Sequence, residues 1–194
     1  TKVVGTYGGL QIDAVTDFMS GFYYGAKAYE TETGTPVTVL GWDPVAAEGQ
    51  FWGGFAPNDA VGKSIAASQL EQGADVLFPV GGEQLGAGIE AIKEAGDNAV
   101  MIGVDKDIAL TSPEYADYII TSAEKRMGAA TFDIIEDYAV NGNFTGDYYM
   151  GDLANEGTDI SPFYAFDDKI DQAIKDRLAE LKAGIIDGSI DPLA

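Results

Sequence analysis

The strongest constraint on this chain is an alternation: short apolar runs give way to stretches with apolar residues at steps of three and four, then return. That rhythm is the mark of βαβ units and predicts an α/β fold with a mostly parallel sheet and helices on both faces. Lys2 to Tyr7 reads as a first strand closed by Gly8-Gly9. From Gln11 to about Tyr29, the residues Ile12, Val15, Met19, Phe22, Ala26 and Tyr29 share one helical face. Pro36 to Trp42 predicts a second strand, followed by a glycine-rich, aromatic loop from Asp43 to Asn58. A helix is expected from about Asp59 to Gln72, capped by Asn58 or Asp59 and ended by Gly73.

Ala74 to Val80 is apolar almost throughout, as a strand covered on both faces requires. Leu85, Ile89 and Ile92 then mark a helix stopping at Gly96, and Asn98 to Val104 is a strand that delivers Asp105 at its carboxyl end. Beyond Pro113, Asp117 to Thr121 predicts another strand, and Met127, Ala130, Ile134 and Tyr138 a helix ending at Gly142. Gly146 to Leu153 reads as a further strand, and Asp168 to Gly184 as a last helix.

Composition removes whole classes of chemistry. The 194 residues contain no histidine and no cysteine, so Ser-His-Asp and Cys-His nucleophiles, disulfides and most zinc hydrolase sites are excluded. A net charge of −21, with Arg126 and Arg177 the only arginines, excludes a nucleic-acid surface and favours a neutral or cationic small molecule over an anion. No run of eighteen apolar residues is present to span a bilayer.

Two nucleotide motifs are nearly matched. Gly62-Lys63-Ser64 resembles the end of a phosphate loop, but the first glycine of that motif would fall on Pro57, which offers no amide. Gly86-Ala87-Gly88-Ile89-Glu90-Ala91, with Asp105 downstream, matches a dinucleotide fingerprint and supports an alternative, a Rossmann-type oxidoreductase. Against it, both glycines lie inside the helical pattern opened by Leu85, while the turn after the strand is Gly81-Gly82-Glu83-Gln84.

Ligands of open α/β sheets bind outside the carboxyl ends of the strands. Tyr7-Gly8-Gly9, Trp52-Gly53-Gly54-Phe55, Gly81-Gly82 and Asp105 all fall there. Flat rings, close-approaching backbone amides and one carboxylate suit a neutral ring compound bearing hydroxyls. Each also has a structural explanation: Phe55 plugging its loop into the core, Asp105 capping a turn, Lys125 as an ordinary helix-start cation, Tyr23 and Tyr24 as a helix face.

The runs Val4-Gly-Thr-Tyr-Gly-Gly9, Phe18-Met-Ser-Gly-Phe-Tyr-Tyr-Gly-Ala-Lys27, Gln72-Gly-Ala-Asp-Val-Leu-Phe-Pro-Val-Gly-Gly82, Ile102-Gly-Val-Asp-Lys-Asp107, Thr121-Ser-Ala-Glu-Lys125 and Leu181-Lys-Ala-Gly-Ile-Ile-Asp-Gly-Ser-Ile190 follow one another in a telling order. Together they resemble the basic-membrane-protein family, which includes purine nucleoside receptors of bacterial ABC importers. The resemblance implies a type I periplasmic-binding-protein lobe: residues 1–120 as the second ligand-binding lobe, 121–194 as a hinge-crossing strand and closing helices, and a first lobe lying outside this chain. It implies a non-enzymatic, extracytoplasmic receptor, lipid-anchored at full length, that needs no cofactor and passes a nucleoside-like ligand to a membrane permease. Carried over residue by residue, Phe55 stacks on the base, Asp105 and Lys125 meet the sugar, and Gly82 brings a backbone amide. The family loop reads Gly-Ser-Phe-Asn-Asp where this chain has Gly54-Phe55-Ala56-Pro57-Asn58-Asp59, so Trp52 and Phe51 stand beside Phe55 as candidate rings. One lobe alone is expected to bind nucleosides weakly or not at all, and the face the other lobe would cover is a candidate for self-association. A sensory domain that kept the fold and lost transport is a further reading.

Overall fold

The computed structural model describes residues 1–56, 60–82, 84–143, 146 and 148–193. Six strands form one sheet: β1 (Val3–Gly8), β2 (Thr38–Leu40), β5 (Val76–Val80), β6 (Val100–Asp105), β7 (Ile119–Lys125) and β8 (Thr158–Ile160), in the order β2-β1-β5-β6-β7-β8. Every pairing is parallel except that of β7 with β8. A separate hairpin pairs β3 (Trp42–Asp43) with β4 (Glu48–Gly49). The expected mostly parallel sheet between helical layers is what the chain forms.

The uninterrupted apolar runs follow from burial of both sheet faces. Successive residues point to opposite sides, so Leu77 and Phe78 of β5, and Met101 and Ile102 of β6, serve different layers. On one side Tyr7, Leu77, Met101 and Ile119 pack under α2 (Ala60–Glu71), α3 (Leu85–Glu94) and α4 (Ile108–Thr111), with Ala66, Ile89, Ile92 and Ile108 facing the sheet. On the other, Phe78, Val80 and Val104 meet Val15 and Met19 of α1 (Asp13–Thr33). The last helix, α6 (Gln172–Asp187), lies on that second side, where Arg177 pairs with Glu32 of α1 at 3.0 Å and Lys182 with Asp159 of β8 at 2.6 Å.

Helix ends obey their local chemistry. Gly34 (φ 67°) and Gly188 (φ 78°) terminate α1 and α6 in the left-handed conformation that glycine adopts freely, and the Gly34 amide donates to the Glu30 carbonyl. The cap expected for α2 falls on residues 57–59, outside the described residues.

Three expectations need correction. Residues 146–153 form no strand among those described. Instead the Asp152 carboxylate accepts the Ala154 and Asn155 amides in a turn, and the eighth strand is Thr158–Ile160. The strand placed at 117–121 begins only at Ile119, because Pro113–Tyr118 winds into a 3-10 helix, and it continues to Lys125. The last helix starts at Gln172, after a second 3-10 segment, Tyr164–Lys169. The helix α5 (Met127–Ala139) buries no residue and leaves Met127, Phe132, Ile135 and Tyr138 exposed. Among the described residues no helix is long and apolar enough to cross a membrane.

Candidate functional site

The carboxyl ends of β1, β5, β6 and β7 form one edge, and the loop after β4 is laced onto it. Gly8 donates its amide to the Gln50 carbonyl (2.9 Å) and accepts from Trp52 (3.0 Å), and the amides of Gly53 and Gly54 both reach the Gly9 carbonyl. Gly9 in turn donates to Val80 at the end of β5. The close approach demands glycine: a Cβ on Gly9 would stand 2.4 Å from the Gly54 carbonyl oxygen and 2.7 Å from the Phe55 ring. Phe55 therefore lies against bare backbone at the mouth of the edge, 48% exposed.

The three candidate rings of that loop separate cleanly. Trp52 is 6% exposed, edge-on to Tyr7 with ring centroids 5.7 Å apart, and a Cβ on Gly81 would run into its six-membered ring. It is a core residue, and its assignment as a ligand ring is corrected on that ground: a buried indole presents no face for stacking. Phe51 is half-buried against Trp42. Phe55 alone of the three is exposed.

Gly82, in the turn after β5, is exposed with φ +73°, and a side chain there would meet nothing within 4 Å. Its neighbour Glu83 lies outside the described residues. Asp105 ends β6 with φ +70°, a left-handed conformation that aspartate tolerates better than most residues but still at a cost. The register pairs it with Glu124, so the next residue of β7, Lys125, comes alongside: its Nζ is 3.4 Å from Asp105 Oδ1. The two side chains are 41% and 43% exposed, so the pair lends little to stability and leaves both groups open to a ligand. Lys125 Nζ also sits 4.7 Å from the centre of the Phe18 ring. Phe18 opens the family-like run 18–27 on α1. Its helical spacing signals a packed face and carries no sign of the cation above it.

The near-motifs are absorbed by packing. Gly86 and Gly88 are buried inside α3, and a Cβ on Gly88 would lie 2.8 Å from Met101 Cε and 3.0 Å from the Tyr7 hydroxyl. The dinucleotide reading is corrected accordingly: these glycines let the helix approach the sheet and form no phosphate turn. Lys63 is held by Glu90 (3.1 Å) and Glu94 (2.9 Å) across α2 and α3. Tyr7 is wholly buried, and desolvation pushes its phenol far above the usual tyrosine range, so it is no acid or base at neutral pH. Among the described residues no cluster of acidic side chains has the form of a metal site. A cavity of about 710 Å3 lies between α1 and α6 over Phe78 and Ile102, and Phe18 is one of its lining residues.

With this geometry in place, residues 1–187 match the family model described as ABC transporter substrate-binding protein, PnrA-like. The chain belongs to the PnrA-like family. The ABC transporter nucleoside-binding protein BmpA of Lactococcus lactis subsp. cremoris is 28% identical over 98% of this chain and 52% of its own length. An uncharacterized lipoprotein of Pyrococcus furiosus is 33% identical over 69% of this chain and 31% of its own. Among solved structures, a solute-binding protein of an ABC transporter system from Aeropyrum pernix superposes with a TM-score of 0.77 at 25% identity, covering 97% of this chain and 56% of that one. This PnrA-like chain thus spans about half, or less, of the length of the relatives it matches.

Proposed function

We propose that this chain is the second, C-terminal lobe of a type I extracytoplasmic solute-binding protein that captures a nucleoside and delivers it to an ABC permease. Residues 1–120 make up the ligand-binding lobe, and 121–194 supply the crossing strand and closing helices, with Lys125 of that strand completing the binding edge. The observation that carries the reading is the Asp105–Lys125 pair: two opposite charges 3.4 Å apart at adjacent strand ends, neither buried, with Asp105 in an unfavourable backbone conformation. Exposed to this degree the pair contributes little to stability, so either side chain can exchange its contact for one with a ligand at small cost.

The same edge offers what a nucleoside needs. Phe55 supplies a ring face for the base. Asp105 accepts hydrogen bonds from vicinal sugar hydroxyls, Lys125 donates to a hydroxyl or ring oxygen, and Gly82 offers its backbone at close range. The protein's excess negative charge disfavours phosphorylated ligands. Capture is then hinge closure of the first lobe over the ligand, which removes water and strengthens these contacts without a covalent step. The exposed apolar residues of α5 are the surface we assign to contact with that other lobe. Relatives named as lipoproteins and as a nucleoside-binding protein support the location and the ligand class.

Saturation-transfer NMR on the purified chain, with adenosine, guanosine, inosine, ribose and NAD at millimolar concentration, tests the assignment. Because Phe55, Asp105 and Lys125 all stand open at one edge, the weak or absent binding expected of one lobe narrows to weak binding of the nucleosides, in the millimolar range, with NAD binding no better than its adenosine portion. Tight NAD binding, or no response to any nucleoside, refutes it.

A further inference from the structure

We infer that Tyr164 is a positioning residue for Asp105, through which the segment returning from β8 sets the geometry of the binding edge; this rests on the assignment of Asp105 made above. The corner between β6 and α4, which contains Asp105, is gripped from two sides by one short stretch of chain. On the first side, Ser161 Oγ accepts the backbone amide of Ser122 (2.8 Å) and the Ser161 carbonyl accepts the Thr121 hydroxyl (2.7 Å). Ser122 Oγ then accepts the amide of Ile108, the first residue of α4, at 3.1 Å. Both serines are buried, and Gly103 leaves the space they need: a Cβ there would fall 2.4 Å from Ser122 Oγ.

On the second side, the Tyr164 hydroxyl donates to Asp107 Oδ2 at 2.5 Å across 57 residues of sequence. The other oxygen of Asp107 caps α4 by accepting the Leu110 amide at 3.3 Å. Tyr164 holds this contact with φ +41°, a conformation that a residue with a side chain keeps only where its surroundings impose it. The hydrogen bond to Asp107 pushes its phenol up to about 12, so it remains a proton donor throughout the neutral range. Both grips hold the chain just past Asp105, at Ile108 and Asp107, and between them and Asp105, turned left-handed, lies only Lys106, whose amide folds back to the Val104 carbonyl at 2.9 Å. The β6–β7 ladder and the exposed pair with Lys125 hold Asp105 from one side; Ser161 and Tyr164 fix the chain that leaves it on the other. Reciprocity follows, because a ligand that holds Asp105 must also steady the return segment.

The test is Tyr164→Phe, which removes one oxygen from a partly exposed side chain. In the ligand-free chain, hydrogen exchange at the amides of Ile108, Leu110 and Thr111 is expected to accelerate roughly three- to tenfold, the scale of one hydrogen bond lost at a partly exposed position. Amides of β1 and α2 are expected to stay unchanged. Adenosine affinity, followed by NMR titration, is expected to fall by a similar factor while the thermal midpoint drops by only about 2–4 °C. Unchanged exchange at the three amides overturns the inference, and so does faster exchange with unaltered adenosine affinity. If the unsubstituted chain binds no adenosine, the nucleoside assignment fails, and the exchange data alone still decide whether Tyr164 holds the corner.

Discussion

Replacing Gly88 and Gly21 by alanine, one at a time, separates a packing glycine from a permissive one. Both lie inside helices, where alanine is favoured over glycine by about 1 kcal/mol. At Gly21 a new Cβ meets nothing within 4 Å, so that gain is expected in full. At Gly88 the same atom arrives 2.8 Å from Met101 Cε, 3.2 Å from Met101 Sδ and 3.0 Å from the Tyr7 hydroxyl. Met101 and Tyr7 are both completely buried, and Tyr7 is braced by Trp52, so neither can retreat without disturbing the core. Overpacking of this kind costs about 1–3 kcal/mol, which exceeds the helical gain. The net expectation is a gain of about 1 kcal/mol for Gly21→Ala and a loss of about 1 kcal/mol for Gly88→Ala, hence a spread of about 2 kcal/mol. For a chain of this size each kcal/mol moves the thermal midpoint by roughly 2–4 °C. Urea unfolding with an unchanged slope measures both variants on one scale. If Gly88→Ala proves as stable as Gly21→Ala, then Gly88 does not set the helix–sheet distance, and the dismissal of a dinucleotide turn loses its physical basis.

Trp52→Ala is expected to cost about 3–5 kcal/mol as a large buried ring is lost, whereas Phe55→Ala, at a half-exposed position, should cost under about 1 kcal/mol and weaken nucleoside binding; chemical denaturation and NMR titration check the contrast. Asp105→Asn keeps a residue that tolerates positive φ, so stability should change by less than about 1 kcal/mol, while nucleoside affinity drops about tenfold with loss of a charged acceptor. Asp159 is pushed up by burial, but its hydrogen bonds from Lys182 and the Ile160 amide, with the nearby charges of Lys182 and Arg126, outweigh this and leave it below its ordinary value of 3.8. Its contribution is therefore present above pH 3.8 and lost as the pH falls through the lower, folded value. Unfolding free energies measured from pH 6 downward should show that acid loss in the native chain and a smaller one in Asp159→Asn.

The layered fold was readable because burial leaves a periodic trace. Leu77-Phe78 and Met101-Ile102 had to be apolar on consecutive positions, since each pair faces two layers. What escaped is short or long-range. The hairpin Trp42–Asp43 with Glu48–Gly49 has strands too brief for any alternation; an Asp43 carboxylate accepting the Val45 and Ala46 amides makes its turn. Strand β8, Thr158–Ile160, carries a charge at its centre and exists because β7 offers it a ladder. At the candidate site, Asp105 was legible as the residue a recognisable strand delivers and Lys125 only through the family-like run 121–125, while their contact depends on the register of β6 against β7. Trp52 was misplaced because a tryptophan beside glycines looks alike whether it caps a loop or fills a core. Tyr164 could not be found at all, since nothing near it in sequence points to Asp107.

The most direct trial is a backbone amide NMR map of the assigned chain titrated with adenosine. Saturable shift changes are expected at Gly9, Phe55, Gly82, Asp105 and Lys125, all on the edge where the parallel strands end, with Phe18 following through its contact with the lysine. Changes gathered instead around Phe22, Leu178 and Ile185, in the cavity between α1 and α6, or an unmoved spectrum at millimolar adenosine, would contradict the assignment of that edge as the binding site.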